Sequence, residues 1–180
     1  VVIELLARFD EESNINWSKQ MQDAGINVVF GMEGLKVHSK LVHISSRKGD
    51  VACISTGNFH EGNAAQYTDV TLFTARKRVV QEVGTVFGFI QKPYVPIRFK
   101  ELLVSTNDMR RRLLARIDKE IRNAAAGKPA YIMGKLNHIT DRALVQKLYE
   151  ASAAGVKIYL IVRGICCLRT GIPGVSENIS

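Results

Sequence analysis

The sequence lacks a long apolar run: nothing in it approaches the ~20 residues a helix needs to cross a bilayer. No signal-peptide pattern is visible either. Cysteine is scarce, with only Cys53, Cys166 and Cys167, and no CxxC spacing occurs. Adjacent cysteines rarely bridge each other, so no disulfide framework is expected. Reduced, buried thiols in a cytoplasmic setting fit best. No His/Cys/Asp spacing supports a tight metal site. Tryptophan occurs once, and no stacking-aromatic motif of the kind that reads single-stranded nucleic acid stands out.

Positive charge is plentiful. The net charge is +8 over 180 residues, and the pI is about 9.6. That balance favours an anionic partner, such as nucleic acid, a nucleotide, another polyphosphate or an acidic membrane surface. Plain surface charge accounts for it equally well. The apolar fraction of 46% is enough for a real core in one domain or two small ones.

Periodicity predicts an α/β chain. "VVIELLARF" reads as a strand, "DEESNINWSKQMQDAG" as a helix with Trp17, Met21 and Ala24 at helical spacing, and "INVVF" as a second strand. That is a β-α-β unit with parallel strands. "KVHSKLVHIS" and "DVACIST" read as two strands joined by the turn "SRKGD". A loop with a short helix, "GNFHEGNAAQYTDV", leads to the strand "VTLFT", and "ARKRVVQEVGTVFGFIQ" has a helical apolar period.

The two prolines of "KPYVPIRF" force extended chain and suggest a domain boundary, giving domains over 1–93 and 94–180. In the next helix Ser105 is a candidate cap with Asp108 three residues on. Leu113, Leu114, Ile117 and Ile121 form its apolar stripe, and the arginines at 110–112 read as a solvated face. The first unit then recurs in pattern. "AGINVVF" falls on "AGVKIYL", "LARF" on "LNHI", and Arg8 on His138. Two related lobes are expected, the second truncated. The abrupt start and finish suggest a piece of a longer protein.

One strand carries an unusual pair. In "GLKVHSKLVHIS" His38 and Lys40 stand two apart, so on a strand they share a face. A neutral imidazole is a good nucleophile toward phosphorus, and a neighbouring ammonium neutralises the phosphoryl oxygens. A lone His-x-Lys also suits a mixed-polarity surface strand. "STGNF" follows, where small residues let backbone N–H groups approach an anion and Asn58 can hold an imidazole or a phosphate oxygen. The combination resembles the phospholipase D superfamily. That family's motif has an acid five positions after the lysine; here Ser45 stands there, which argues against an ordinary phosphodiesterase.

A longer set of motifs narrows this. "ARFDEESNI-W", "GLKVHSKL", "TGNFHE", "YTDVTLFT", "FGFIQKPY", "KLNHITD" and "LIVRGICCL" together resemble bacterial polyphosphate kinase of the long-chain, histidine-phosphorylated type. The resemblance implies two phospholipase D-like α/β domains, most of the first over 1–93 and the opening part of the second over 94–180. It implies reversible transfer of the terminal phosphate of ATP onto polyphosphate through a phosphohistidine at His38. Tyr67 and Arg163 match nucleotide contacts. Lys40, Asn58, Lys135 and Asn137 are further candidate phosphate contacts. Arg8 matches an arginine of the magnesium–phosphate site and reads physically as a phosphate clamp, since a guanidinium cannot ligate a cation.

Beyond Mg2+, the resemblance implies ATP, ADP and inorganic polyphosphate as partners, with no nucleic acid. It implies a homo-oligomer of the full-length protein in the cytoplasm, and it leaves open a place at the inner face of the membrane. The family's second histidine would lie beyond residue 180, so the isolated piece is expected to be inactive. His43, His60 and His138 read as structural or exposed. Two rival readings remain, a phospholipase D-type phosphodiesterase or nuclease and a non-catalytic polyanion-binding module.

Overall fold

In the computed structural model, residues 1–4, 11–32 and 34–180 are described. They divide into two compact units, Val1–Leu102 and Leu103–Ser180.

The first unit opens with β1 (Val2–Ile3), α1 (Glu11–Asp23) and β2 (Val29–Phe30). β1 and β2 pair in parallel, Val2 opposite Val29, as the β-α-β pattern predicts. Gly25, at φ +78°, provides the left-handed residue that ends α1. Trp17 is 56% exposed and Ala24 is exposed, while Met21 is half-buried, so the apolar stripe of α1 is covered only in part.

Next come β3 (Lys40–Ile44), β4 (Val51–Ser55), α2 (Glu61–Gln66), β5 (Thr71–Thr74) and α3 (Lys77–Gln91). The strands form an antiparallel sheet in the order β3-β4-β5. α3 lies on one face because Val80, Val83, Phe87 and Ile90 recur at helical spacing. Val80 and Val83 are fully buried with Ala52, and Leu41, Ile54 and Leu102 pack around them.

The boundary falls later than the prolines suggest. The chain through 94–102 stays with the first unit because the Glu82 carboxylate of α3 accepts backbone N–H bonds from Lys100, Glu101 and Leu102 at 2.6 to 3.1 Å. Phe99 is buried and meets Phe89 edge-on.

The second unit contains α4 (Met109–Ala125), β6 (Tyr131–Leu136), α5 (Arg142–Ala153) and β7 (Lys157–Val162). β6 and β7 are parallel, in register from Tyr131 opposite Lys157 to Leu136 opposite Val162. Ile117 of α4, Leu148 and Ala151 of α5 and Ile158 of β7 share one core with Ile139, Val156, Leu168 and Ile179. Asp141 caps α5, its side chain accepting from Leu144 N at 2.9 Å.

Three local expectations are corrected. Ser105 does not cap α4, which starts at Met109 with Asp108 in the cap position. The arginines at 110–112 are not simply solvated: Arg110 pairs with Asp141 at 2.9 Å, and Arg111 and Arg112 pair with Asp108. Of the thiols, only Cys53 is buried; Cys166 and Cys167 are exposed.

Candidate active site

β3 begins at Lys40, so His38 lies in the approach to the strand and not on it. The shared strand face expected for His38 and Lys40 is therefore replaced by a direct bond. Lys40 Nζ donates to the carbonyl oxygen of His38 at 2.8 Å. The ammonium is folded back on the histidine's own backbone.

The electrostatics follow from that placement. The His38 pKa is lowered below 6.5, first by partial desolvation and then by the positive charges of Lys40 and Lys36. The Lys40 pKa is lowered by desolvation and by Lys36, while Asp69 acts in the opposite sense. A neutral imidazole next to a cation is the combination that attack on an anionic phosphoryl group needs.

Across the sheet, Lys40 is opposite Ser55, and Ser55 is opposite Thr71. The Ser55 and Thr71 hydroxyls lie 2.9 Å apart, and Gly57 N donates to Ser55 Oγ. Thr56 Oγ1 donates to Asp69 Oδ1 at 2.9 Å and accepts from Val70 N at 3.0 Å. A Cβ on Gly57 would overlap the Asp69 carboxylate, so this turn requires glycine. Asp69, Ser55, Thr71 and Lys36 are the residues that sequence reasoning missed. "YTD" is visible as a motif, but only the β4–β5 register brings its acid onto the Thr56–Gly57 turn.

Asn58 is exposed just beyond that turn, its carbonyl accepting from His60 N at 2.9 Å. Tyr67 is the C-terminal cap of α2, 39% exposed. Ser45, at the position of the superfamily acid, donates to Asp50 Oδ1 at 2.7 Å in the β3–β4 turn. Arg8 lies outside the described residues.

The second unit gathers a separate group. Lys135 and Asn137 stand at the carboxyl end of β6, and Arg163 follows β7. The two chains stay zipped beyond the strands: Arg163 N donates to Leu136 O at 3.0 Å and Gly164 N to Asn137 O at 2.8 Å. The carboxyl ends of adjacent parallel strands are where α/β sheets commonly bind ligands. His138 Nδ1 accepts from Ile165 N at 2.8 Å, which makes it structural, as expected. His43 packs its ring against Gly84 of α3. No helix among the described residues is long and apolar enough to cross a membrane. Those residues also form no group of three or more His, Cys, Asp or Glu able to hold a metal ion. Near His38 the described residues include carboxylates as well as the cations Lys36 and Lys40: Glu4 accepts from Val37 N, and Asp69 acts on Lys40.

The family profile for polyphosphate kinase C-terminal domain 1 matches residues 1–96, and that for polyphosphate kinase C-terminal domain 2 matches residues 102–180. A polyphosphate kinase from Vibrio parahaemolyticus is 53% identical over 99% of this chain and 26% of its own length. One from Escherichia coli K12 is 49% identical over 99% of this chain and 27% of its own length. The chain thus spans about a quarter of the length of these relatives. The crystal structure of polyphosphate kinase from Porphyromonas gingivalis covers all of this chain and 31% of its own, with a TM-score of 0.84 and 42% identity. The overlay supports the α/β, phospholipase D-like fold expected from the motifs. The chain belongs to the polyphosphate kinase family, across that family's two C-terminal domains.

Proposed function

We propose that this chain carries the phosphoryl-transfer site of an ATP:polyphosphate phosphotransferase, with His38 as the residue phosphorylated. The supporting observation is the Lys40 ammonium bonded to the His38 backbone, together with a His38 pKa held below 6.5 by desolvation and by the charges of Lys40 and Lys36. In the forward half-reaction a neutral ring nitrogen of His38 attacks the γ-phosphorus of ATP in line. The N–P bond forms as the bond to the β-phosphate oxygen breaks, and ADP leaves. A terminal oxygen of polyphosphate then attacks the same phosphorus, and the N–P bond breaks. The chain is one phosphate longer and the imidazole is restored. Each step runs backward because the phosphoimidazole retains high transfer potential.

Phosphoryl transfer asks a protein mainly to position groups and neutralise charge. Lys40 supplies charge at the reacting oxygens, and Asp69 opposes the loss of its proton. Asn58 and Tyr67 are assigned to phosphate and nucleotide contacts, and Arg8 to a phosphate clamp. The group Lys135, Asn137 and Arg163 is assigned to phosphate or nucleotide binding in the same chemistry. Magnesium would arrive on the phosphates of ATP, and no step here is routed through it. The enzyme acts in the cytoplasm on this reading, as a homo-oligomer of the full-length protein.

The test uses the full-length protein with γ-labelled ATP and magnesium. Acid-labile, base-stable label on the peptide containing His38, chased into polyphosphate, is the expected result. Absence of label in protein that still binds ATP would sink the mechanism. Hydrolysis of a phosphodiester by the same protein would favour the phospholipase D-type alternative.

A further inference from the structure

The cations of α4 divide into two sets. Arg110 and Arg112 are spent on Asp141 and Asp108. Arg111 touches Asp108 at 3.4 Å but its side chain is 78% exposed. Further along the helix, Arg116, Lys119 and Arg122 are exposed, and none has an acidic partner among the described residues. The helix's own acids are engaged elsewhere: Asp118 pairs with Lys147 at 3.0 Å, and Glu120 with Asn123.

Helical geometry sets these cations on one side. At 3.6 residues per turn, positions 111, 116, 119 and 122 fall within an arc of about 140°. Ile117 and Ile121 face the core from the other side. Along the axis the row extends roughly 16 Å, at 1.5 Å per residue. Lys128 is also exposed just past the helix. Unpaired like charges at helical neighbour spacings are mildly destabilising to the helix itself, so folding does not explain their grouping.

We propose that this outer face of α4 is a docking track for long-chain inorganic polyphosphate. The inference rests on the polyphosphate kinase reading for its choice of polyanion. Two further features favour polyphosphate over single-stranded nucleic acid. α4 contains no aromatic residue, so the face has no platform for stacking bases. A polyphosphate chain also carries its charges without intervening sugars, and a short row of cations meets more of them.

The experiment measures direct binding to the full-length protein, without turnover. The probes are tripolyphosphate, long-chain polyphosphate and a single-stranded RNA of matched charge, each titrated across a range of salt. The variants are the charge reversal R116E/K119E/R122E and the milder R116Q/K119Q/R122Q. The neutral triple guards against misfolding, and both are checked by circular dichroism. Loss of about tenfold in long-chain affinity is expected, with tripolyphosphate binding unchanged. The log–log salt slope should fall by about 2, at ~0.7 per lost phosphate contact. Unchanged long-chain affinity and slope in both folded variants would overturn the proposal. So would RNA binding that is tighter than polyphosphate binding and is lost in the variants, which would make the face a nucleic-acid surface. ATP-dependent labelling of His38, followed separately, reports on the catalytic reading. Loss of that labelling with long-chain binding intact would remove the kinase assignment and leave the track.

Discussion

The ring of His138 occupies the space where Gly164 would carry a side chain. A Cβ placed on Gly164 would lie 2.5 Å from His138 Cε1 and 2.7 Å from Nδ1. The ring is fixed there because Nδ1 accepts from Ile165 N, one residue further on. Glycine is thus needed beside Arg163 by contact, in ordinary backbone space. Gly164→Ala should cost about 1–3 kcal/mol through overpacking, read as a lowered melting temperature. His138→Ala should relieve most of that cost in the double variant, and a purely additive double-mutant cycle would contradict the contact.

The second prediction concerns pH. Desolvation, Lys40 and Lys36 all hold the His38 pKa below 6.5, so the ring stays neutral somewhat below that pH. Lys40→Gln removes one of the two positive charges, so the His38 pKa should rise toward 6.5. The acid limb of His38 phosphorylation should then move to higher pH, at a lower maximal rate. Lys36→Gln should shift the limb in the same direction with less effect on the maximum. Imidazole titration by NMR checks the shift directly, and a downward shift in either variant would reverse the assignment. For stability the sign is the same. The unfolded chain binds the His38 proton more readily than the folded one, so this histidine lowers folding stability as pH falls through 6.5.

The third prediction tests the segment that closes the first unit. The Glu82 carboxylate gathers three consecutive backbone N–H groups, from Lys100 to Leu102. Bonds to a charged acceptor contribute about 1.5–3 kcal/mol. Glu82→Ala should destabilise the first unit by roughly that amount and speed proteolysis within residues 92–102. Glu82→Gln should fall between, since an amide oxygen accepts fewer of these bonds. Proteolysis at the wild-type rate in the alanine variant would show that Phe99 and Leu102 hold the segment unaided.

Much of this was legible in the sequence where the signal is local. Both parallel β-α-β units, the β3–β4 hairpin and the α3 stripe follow from periodicity and turn residues. His38 and Lys40 were readable as a pair because they are close in sequence. Their geometry was not, because the point where a strand begins depends on its partner's register: β3 starts opposite Ser55. The division between the compact units, at Leu102–Leu103, was hidden for a similar reason. Prolines mark where chain is extended, but Glu82, eighteen residues before Lys100, decides which unit holds it.

The last prediction addresses Asp69, the acid of "YTD", whose contact with the Thr56–Gly57 turn only the β4–β5 register reveals. Its carboxylate is held by Thr56 Oγ1, and it favours the charged form of Lys40. The space it fills is the space a Cβ on Gly57 would take. Gly57→Ala should therefore push Asp69 off Thr56 without touching His38 or Lys40. If Asp69 matters only to the fold, the variant should lose stability but label His38 from ATP at the normal rate once folded. If Asp69 helps place Lys40 beside the phosphoryl oxygens, labelling should fall by about tenfold to a hundredfold, as small misplacements of catalytic groups do. Asp69→Asn separates charge from shape, because the amide keeps the Thr56 bond and removes the charge. A fall in the alanine variant with little change in the asparagine variant would assign Asp69 to positioning. A comparable fall in both would assign it to the electrostatics of Lys40.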